Sequence, residues 1–399
     1  MLKKSKENLY KDLLTRGVKE VIDKNSLLRK LESGKPLKIK HGVDPTTDKL
    51  HFGYWVVYRK LKKLQEMGHE IQLLIGSFTA QIGDPEGKID SRKEKTLEEI
   101  EGLSRGYLQQ VSRVLDIGKL KIYKNNDWFG GMTLKKFLKI ANNFSVWGLL
   151  ARDMFQERKK MGKELRPAEF IYPILQAYDS VELQSDLTVI GSDQVFNELQ
   201  ARVVQRAYGQ EPQDILAMEI LIGLDGKNKM SQSLGNVINL DDKPEDKFGK
   251  IMSMPDNLIP HYFELLTDRD MKEIDKMKNS IISGEVNPRD LKEELAFQLI
   301  LEIDGNDKAT EAKKSFNKIF RRHEAPESMS EFKVSGTMTL KEIVYISGLS
   351  KSKSEAQKLI EEGAVKLDKE VVRDWEMVID VGGGVILQVG KRKFIRLIK

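Results

Sequence analysis

A phenol, an amide and a carboxylate spaced for one helix face form the most specific chemical pattern in this chain. In Phe170-Ile171-Tyr172-Pro173-Ile174-Leu175-Gln176-Ala177-Tyr178-Asp179, helical periodicity puts Tyr172, Gln176 and Asp179 on one side. That trio suits a small zwitterion with a polar ring. The plainer reading is a solvated face, which the apolar flanking residues make uncomfortable.

Two further segments point to phosphate. In Asp44-Pro45-Thr46-Thr47-Asp48-Lys49-Leu50-His51-Phe52-Gly53-Tyr54, Gly53 opens a helix and admits close backbone approach. His51 supplies a neutral or cationic donor there, and the helix N-terminus favours anions. The assembly suits the α position of a triphosphate; the bland alternative is that His51 only caps the helix. In Lys229-Met230-Ser231-Gln232-Ser233-Leu234-Gly235-Asn236, a lysine on a Gly/Ser-rich loop can meet charge developing on a departing pyrophosphate. Such loops are more often solvated turns. Gly83-Asp84-Pro85-Glu86-Gly87-Lys88 leads to Arg92 and adds two cations. Gly191-Ser192-Asp193-Gln194 follows an apolar run and opens a helix, so Asp193 either caps it or takes a ribose hydroxyl. Capping is the cheaper of the two. Ser192 lies outside any Gly-x-Ser-x-Gly elbow and is not read as a nucleophile.

The elements that must carry these residues alternate strand and helix. Residues 8–33 read as one amphipathic helix, with Leu9, Leu13, Leu14, Val18, Val21 and Ile22 at helical spacing. Leu37–Val43 reads as a strand, 52–67 as a helix stopped by Gly68, and Ile71–Gly76 as a buried strand. Short apolar runs near 119–123, 187–190 and 215–222 extend this to a mostly parallel α/β sheet. Ligands bind such sheets at the carboxyl ends of the strands, where both phosphate motifs fall. Residues after about 239 turn helical and Lys/Glu-rich, 324–337 look like a linker, and 338–399 form a small unit of two helices and strands. That unit ends with Lys391, Arg392, Lys393, Arg396 and Lys399.

Composition limits the alternatives. The net charge of +6 permits a polyanionic partner without requiring one. Without cysteine there are no disulfides or thiolate metal sites, and histidines 41, 51, 69, 261 and 323 form no i, i+4 pair, so no metal site is expected. Lys3, Lys4 and Lys6 are followed by no apolar segment, and no run approaches the ~20 apolar residues of a membrane span, so a cytoplasmic chain is expected.

Taken in order, five blocks resemble the tyrosyl-tRNA synthetases of bacterial type, class I enzymes of the second bacterial branch. They are Gly42-Val43-Asp44-Pro45-Thr46…His51-x-Gly53, Ile82-Gly83-Asp84-Pro85-x-Gly87-Lys88, Tyr172-Pro173-x-Leu175-Gln176-Ala177-Tyr178-Asp179, Gly191-Ser192-Asp193-Gln194 and Gly223-Leu224-Asp225-Gly226…Lys229-Met230-Ser231. The third is the block most specific to the tyrosine enzymes. The last sixty residues resemble the S-four-type RNA-binding module.

The resemblance implies a Rossmann-like catalytic domain over 1–238, with a dimer-forming insertion at about 130–165. A helical anticodon-proximal domain over 239–323 and an S-four-like domain over 338–399 would follow. It implies a homodimer that uses L-tyrosine, Mg-ATP and tRNA(Tyr), without a bound prosthetic group or a membrane. By resemblance Tyr172, Gln176 and Asp84 hold the ammonium of tyrosine, Asp179 meets the phenol and Gln194 the carboxylate. Gly42, Asp44, Gly53, Gly191 and Asp193 cradle the adenosine, with Tyr54, Met230, Ser231 and Gln232 also at the nucleotide. Thr46, His51, Lys88, Arg92 and Lys229 stabilise the α-phosphorus and pyrophosphate, and Lys351, Lys353, Lys391, Arg392, Lys393 and Arg396 face RNA. Three departures stand out. Lys40 replaces a tyrosine that touches the substrate phenol in many members, which throws recognition onto Asp179. Tyr54 replaces a histidine and Gln232 a lysine, with Lys227 a candidate substitute for the lost charge. A tryptophan-specific enzyme and an RNA-binding paralogue without ligase activity are the rival readings.

Overall fold

Apolar runs ended by polar or glycine turns become the strands of a six-stranded sheet: β1 (Val18–Ile22), β2 (Lys38–Val43), β3 (Glu70–Ile75), β4 (Lys121–Lys124), β5 (Leu187–Gly191) and β6 (Asp214–Met218). The structure is a computed structural model describing residues 6–45, 47–82, 95–150, 153–162, 164, 166–321, 329–334, 338–379, 384–390 and 393–398. Thr46, Asp84, Lys88, Arg92, Lys391 and Arg392 lie outside the described residues. The chain clusters into two units, residues up to Asp304 and residues from Gly305.

In the first unit the strand order is β1-β6-β5-β2-β3-β4, with β2 to β6 parallel and β1 antiparallel on the edge. The chain runs outward from β2 to β4, then returns to build β5 and β6 on the other side. The crevice between β2 and β5 is therefore a topological switch point, where parallel sheets bind ligands. Register puts Lys40 on β2 between Gln72 and Thr188. The Phe52–Glu66 helix covers the sheet with Phe52, Trp55, Tyr58 and Leu61, all at most 1% exposed. Each such burial contributes roughly 2–3 kcal/mol.

The N-terminal segment departs from the single helix expected over 8–33. A helix spans Lys6–Thr15, β1 follows, and a second helix spans Lys24–Glu32. Gly17 is the cause: its φ is +60°, and a Cβ there would lie 2.8 Å from Leu265 Cδ2. The chain reverses at that glycine, and Val18, Val21 and Ile22 pair with β6 instead of continuing a helical stripe. Within this unit, residues after β6 form helices at Pro244–Ser253, Ile259–Leu266, Met271–Ser283 and Pro288–Asp304.

The second unit opens with a helix, Asn306–Arg321, followed by β7 (Ser330–Lys333), helices at Leu340–Ile346 and Lys353–Glu361, β8 (Val365–Leu367), β9 (Glu370–Val371), β10 (Val385–Val389) and β11 (Lys393–Ile398). Its sheet order is β7-β11-β10-β8-β9. Leu340, Ile343, Val344, Ala356, Ile360, Leu387 and Leu397 pack its core. Residues 330–333 were expected inside a linker and are instead a strand paired parallel with β11. Four residues with one aromatic carry no strand signal alone; the partner strand decides them. Lys351, Lys353, Lys393 and Arg396 are all exposed on this unit. Lys353 meets Glu342 at 3.4 Å, and Lys393 donates to the Leu349 carbonyl at 2.7 Å.

Candidate active site

The carboxyl ends of β2, β3, β5 and β6 open onto one cavity of about 360 Å³. Lys40 to Asp44 enter from β2, Gly76 and Thr79 from the end of β3, Ile190, Gly191, Asp193 and Gln194 from β5, and Glu219 to Leu221 from β6. Tyr172, Gln176 and Asp179 reach it from the Pro167–Leu183 helix, and His51, Gly53 and Tyr54 from the start of the Phe52–Glu66 helix. Lys229, Met230 and Ser231 close one side. The two phosphate motifs and the helix face, far apart in sequence, thus share one space.

Asp179 is 3% exposed and is held at both oxygens. Trp128 Nε1 donates to Oδ1 at 2.9 Å, and Asn125 Nδ2 to Oδ2 at 3.4 Å. Burial pushes its carboxyl up to about 8; the Lys40 ammonium and the Trp128 and Asn125 hydrogen bonds offset part of that rise. Asp44, at the end of β2, accepts from the Tyr172 hydroxyl at 2.8 Å and from Thr79 Oγ1 at 2.7 Å. Asn125 Nδ2 also donates to Thr79 Oγ1, so one network links the strand end to Asp179. It leaves no room for a side chain at residue 76. A Cβ on Gly76 would fall 1.7 Å from Asp44 Oδ1 and 2.4 Å from Thr79 Oγ1.

His51 both caps its helix and lines the cavity, so the two readings of it hold together. Its Nδ1 accepts from the Gly53 amide at 3.1 Å, which leaves the ring hydrogen on Nε2 as a donor. Burial, and to a lesser degree the nearby Lys229, pulls the imidazole down to about 4, so it acts as a neutral donor at physiological pH. Tyr54 packs its ring 4.6 Å from that of His51 and edge-on to Tyr107.

Asp193 does not cap the helix at Val195–Ala207; its Oδ2 pairs with Lys229 Nζ at 3.0 Å. That ion pair draws the lysine over the cavity. Behind the lysine, the loop is anchored by antiparallel pairing of Ile222 with Lys229 and by Asp225, which accepts from the Lys227 and Asn228 amides and from Asn228 and Asn236 side chains. Those donors, the Lys227 amide first, hold the Asp225 carboxyl well below its usual range. Gln232 turns away and donates to Asn239 Oδ1 at 2.6 Å, tying the loop to the strand-like bridge between Asn239 and His51. Lys227, the suggested substitute for its charge, is exposed and is not among the cavity-lining residues.

Lys40 reaches the cavity wall with its ammonium already engaged. It donates to Ser180 Oγ at 2.6 Å and to Glu198 Oε1 and Oε2 at 3.0 and 2.8 Å. An ammonium has three donors, and all three are taken. Glu198, Ser180, Asn125, Trp128, Thr79, Gly76 and His41 escaped sequence reasoning. None sits in a patterned motif; the fold brings Glu198, Thr79, Gly76 and His41 to the cavity wall and Ser180, Asn125 and Trp128 behind Lys40 and Asp179. Of these, Gly76 alone left a trace, ending an apolar run. His41 donates from Nδ1 to the Val189 carbonyl at 2.9 Å and faces the cavity with a buried Nε2.

A parallel sheet with a polar cleft at its switch point, a histidine at a helix N-terminus and a lysine on a Gly/Ser-rich loop fit a nucleotide-using α/β enzyme. Comparison with known proteins narrows that class. The family described as tRNA synthetases class I (W and Y) matches residues 32–321, and the S4 domain matches 338–384. A tyrosine–tRNA ligase of Carboxydothermus hydrogenoformans is 41% identical, with 97% of each chain covered. One of Thermotoga maritima is 39% identical over 96% of each. The fold is shared with the solved tyrosyl-tRNA synthetase of Archaeoglobus fulgidus complexed with L-tyrosine, at TM-score 0.60 and 24% identity, over 76% of this chain and 98% of that one. The chain belongs to the tyrosyl-tRNA synthetase family, within class I.

Proposed function

We propose that this chain is a tyrosine–tRNA ligase, and that the single cavity shared by the Tyr172–Asp179 helix face and the His51 and Lys229 motifs is where it works. The carboxylate oxygen of tyrosine attacks the α-phosphorus of ATP. An O–P bond forms, the bond to the β-phosphate oxygen breaks, and its electron pair leaves with pyrophosphate. A hydroxyl of the terminal adenosine of tRNA(Tyr) then attacks the tyrosyl carbonyl and expels AMP. Magnesium arrives with the nucleotide as part of the substrate.

No residue need bond covalently to substrate, so the rate comes from positioning and electrostatics. Asp179, fixed by Trp128 and Asn125, meets the phenol. Tyr172 and Gln176, with Asp84, meet the ammonium, and Gln194 the carboxylate. Gly42, Asp44, Gly53, Gly191 and Asp193 hold the adenosine, with Tyr54, Met230 and Ser231 beside it. His51 donates from Nε2 to phosphate, and Lys229 moves from Asp193 to the pyrophosphate as ATP brings a stronger anion. Thr46 adds a hydroxyl donor, and Lys88 and Arg92 complete the positive charge. With Gln232 engaged by Asn239, that side of the pyrophosphate depends on Lys229.

The helices following residue 239 and the unit from 338 would contact tRNA, the latter through Lys351, Lys353, Lys391, Arg392, Lys393 and Arg396. A cytoplasmic homodimer fits the reading. Residues 130–165 carry Leu134, Leu138, Val146, Trp147 and Met161, exposed by 52–81%. Among the described residues no helix is long and apolar enough to cross a membrane. The test of the full reaction is charging of tRNA with labelled tyrosine. Lys351→Ala/Lys353→Ala/Arg396→Ala should lower charging roughly tenfold at physiological salt and flatten its salt dependence, while leaving adenylate formation intact. Unchanged charging and salt slope would remove this face from RNA binding; charging with tryptophan instead would sink the tyrosine reading.

A further inference from the structure

Glu198 and Lys40 line the cavity and have no role in the reaction described above. Glu198, on the Val195–Ala207 helix, is 2% exposed and holds four contacts: both oxygens on Lys40 Nζ, Oε1 on Gln176 Nε2 at 3.2 Å, and Oε2 on Gln213 Nε2 at 2.6 Å. A carboxylate only accepts hydrogen bonds, so the Gln176 amide must turn its NH₂ toward Glu198. Its Oε1 is then forced the other way. That oxygen is buried and has no hydrogen-bond partner among the described residues, while Gln176 itself lines the cavity. A buried, unsatisfied carbonyl oxygen is costly unless a ligand supplies the donor.

We infer that Glu198 is a positioning residue that fixes the orientation of the Gln176 amide, presenting its oxygen as an acceptor for the ammonium of the amino-acid substrate, with Lys40 as the counter-charge that lets the carboxylate stay buried. The inference rests on the tyrosine–tRNA ligase reading and deepens it. An amide free to rotate would offer an ammonium its NH₂ half the time, a donor facing a donor. With Glu198 in place, only the acceptor faces the site. Lys40 therefore serves tyrosine binding at one remove, through Glu198 and Gln176, with all three of its donors facing Ser180 and Glu198.

Glu198→Gln keeps the shape but lets Gln176 pair in either orientation. It also leaves Lys40 short of a counter-charge, so Lys40→Met/Glu198→Leu serves as a partner variant that removes the buried pair together and preserves packing. Calorimetric titration would compare tyrosine with 3-(4-hydroxyphenyl)propionate, which has the same phenol and carboxylate but no ammonium. Both variants should bind tyrosine roughly tenfold more weakly and the des-amino acid with unchanged affinity. In pyrophosphate exchange, KM for tyrosine should rise while KM for ATP stays put. Equal weakening of both ligands would reduce Glu198 to a structural role, and unchanged tyrosine affinity in the double variant would overturn the inference. A wild-type protein that binds no tyrosine would overturn the functional reading beneath it.

Discussion

Asp179 shows how a single residue joins stability to specificity. Under the proposed function Asp179 is the buried polar group set against the substrate phenol, and phenylalanine would leave it unpaired. Asp179→Asn should cut the ratio of kcat/KM for tyrosine over phenylalanine by roughly tenfold or more. Because burial lifts its carboxyl from 3.8 to about 8, the folded protein keeps a proton that the unfolded chain gives up. The resulting stabilisation is full below the unfolded value and is lost as pH rises through about 8. Urea denaturation should show the wild type losing ground to Asp179→Asn between pH 6 and pH 9; a gap independent of pH would contradict that. Tyr172, Gln176 and Asp179 were legible because one helix carries them at regular offsets. Trp128, Asn125, Thr79 and Glu198 were not, since each acts on that face from another element. Asp193 stayed open between a helix cap and a ribose hydroxyl for a related reason. Local sequence favoured a cap, but Asp193 caps no helix and pairs with Lys229, 36 residues away.

At the scale of elements, strand ends decide where chemistry happens. The β2 and β5 ends flank the switch point, and short hydrophobic runs bounded by turns gave that much away in sequence. What stayed hidden was context. A helical stripe continued on paper through Gly17, where the backbone turns and Val18 begins a strand that exists only by pairing with β6. Ser330–Lys333 likewise becomes a strand because β11 is there. The helices at Leu134–Ala141 and Val146–Leu150 pose the opposite case, apolar residues left uncovered within the first unit. Leu134 is 71% and Trp147 81% exposed. Exposed apolar side chains of this size are what the proposed homodimer would cover. For the proposed homodimer, Leu134→Asp/Trp147→Asp should leave a monomer in sedimentation velocity at micromolar concentration. A monomeric wild type, or a variant that stays dimeric, would assign the patch to something else.

For the whole molecule, the Tyr172–Asp179 helix face and the His51 and Lys229 motifs are useful only if they act on one substrate pair in one cavity. Both were readable as separate signals; that they converge follows from strand order, which no local pattern encodes. The two altered motif positions have also found their places. Tyr54 stacks beside His51, and Gln232 braces the loop against Asn239 instead of lining the cavity. Amino-acid-dependent exchange of labelled pyrophosphate into ATP tests this convergence most directly, because it reports adenylate formation without tRNA. Exchange should occur with tyrosine, fall to background without an amino acid and stay there with tryptophan. Exchange with tryptophan but not tyrosine, or none with either, would contradict the account.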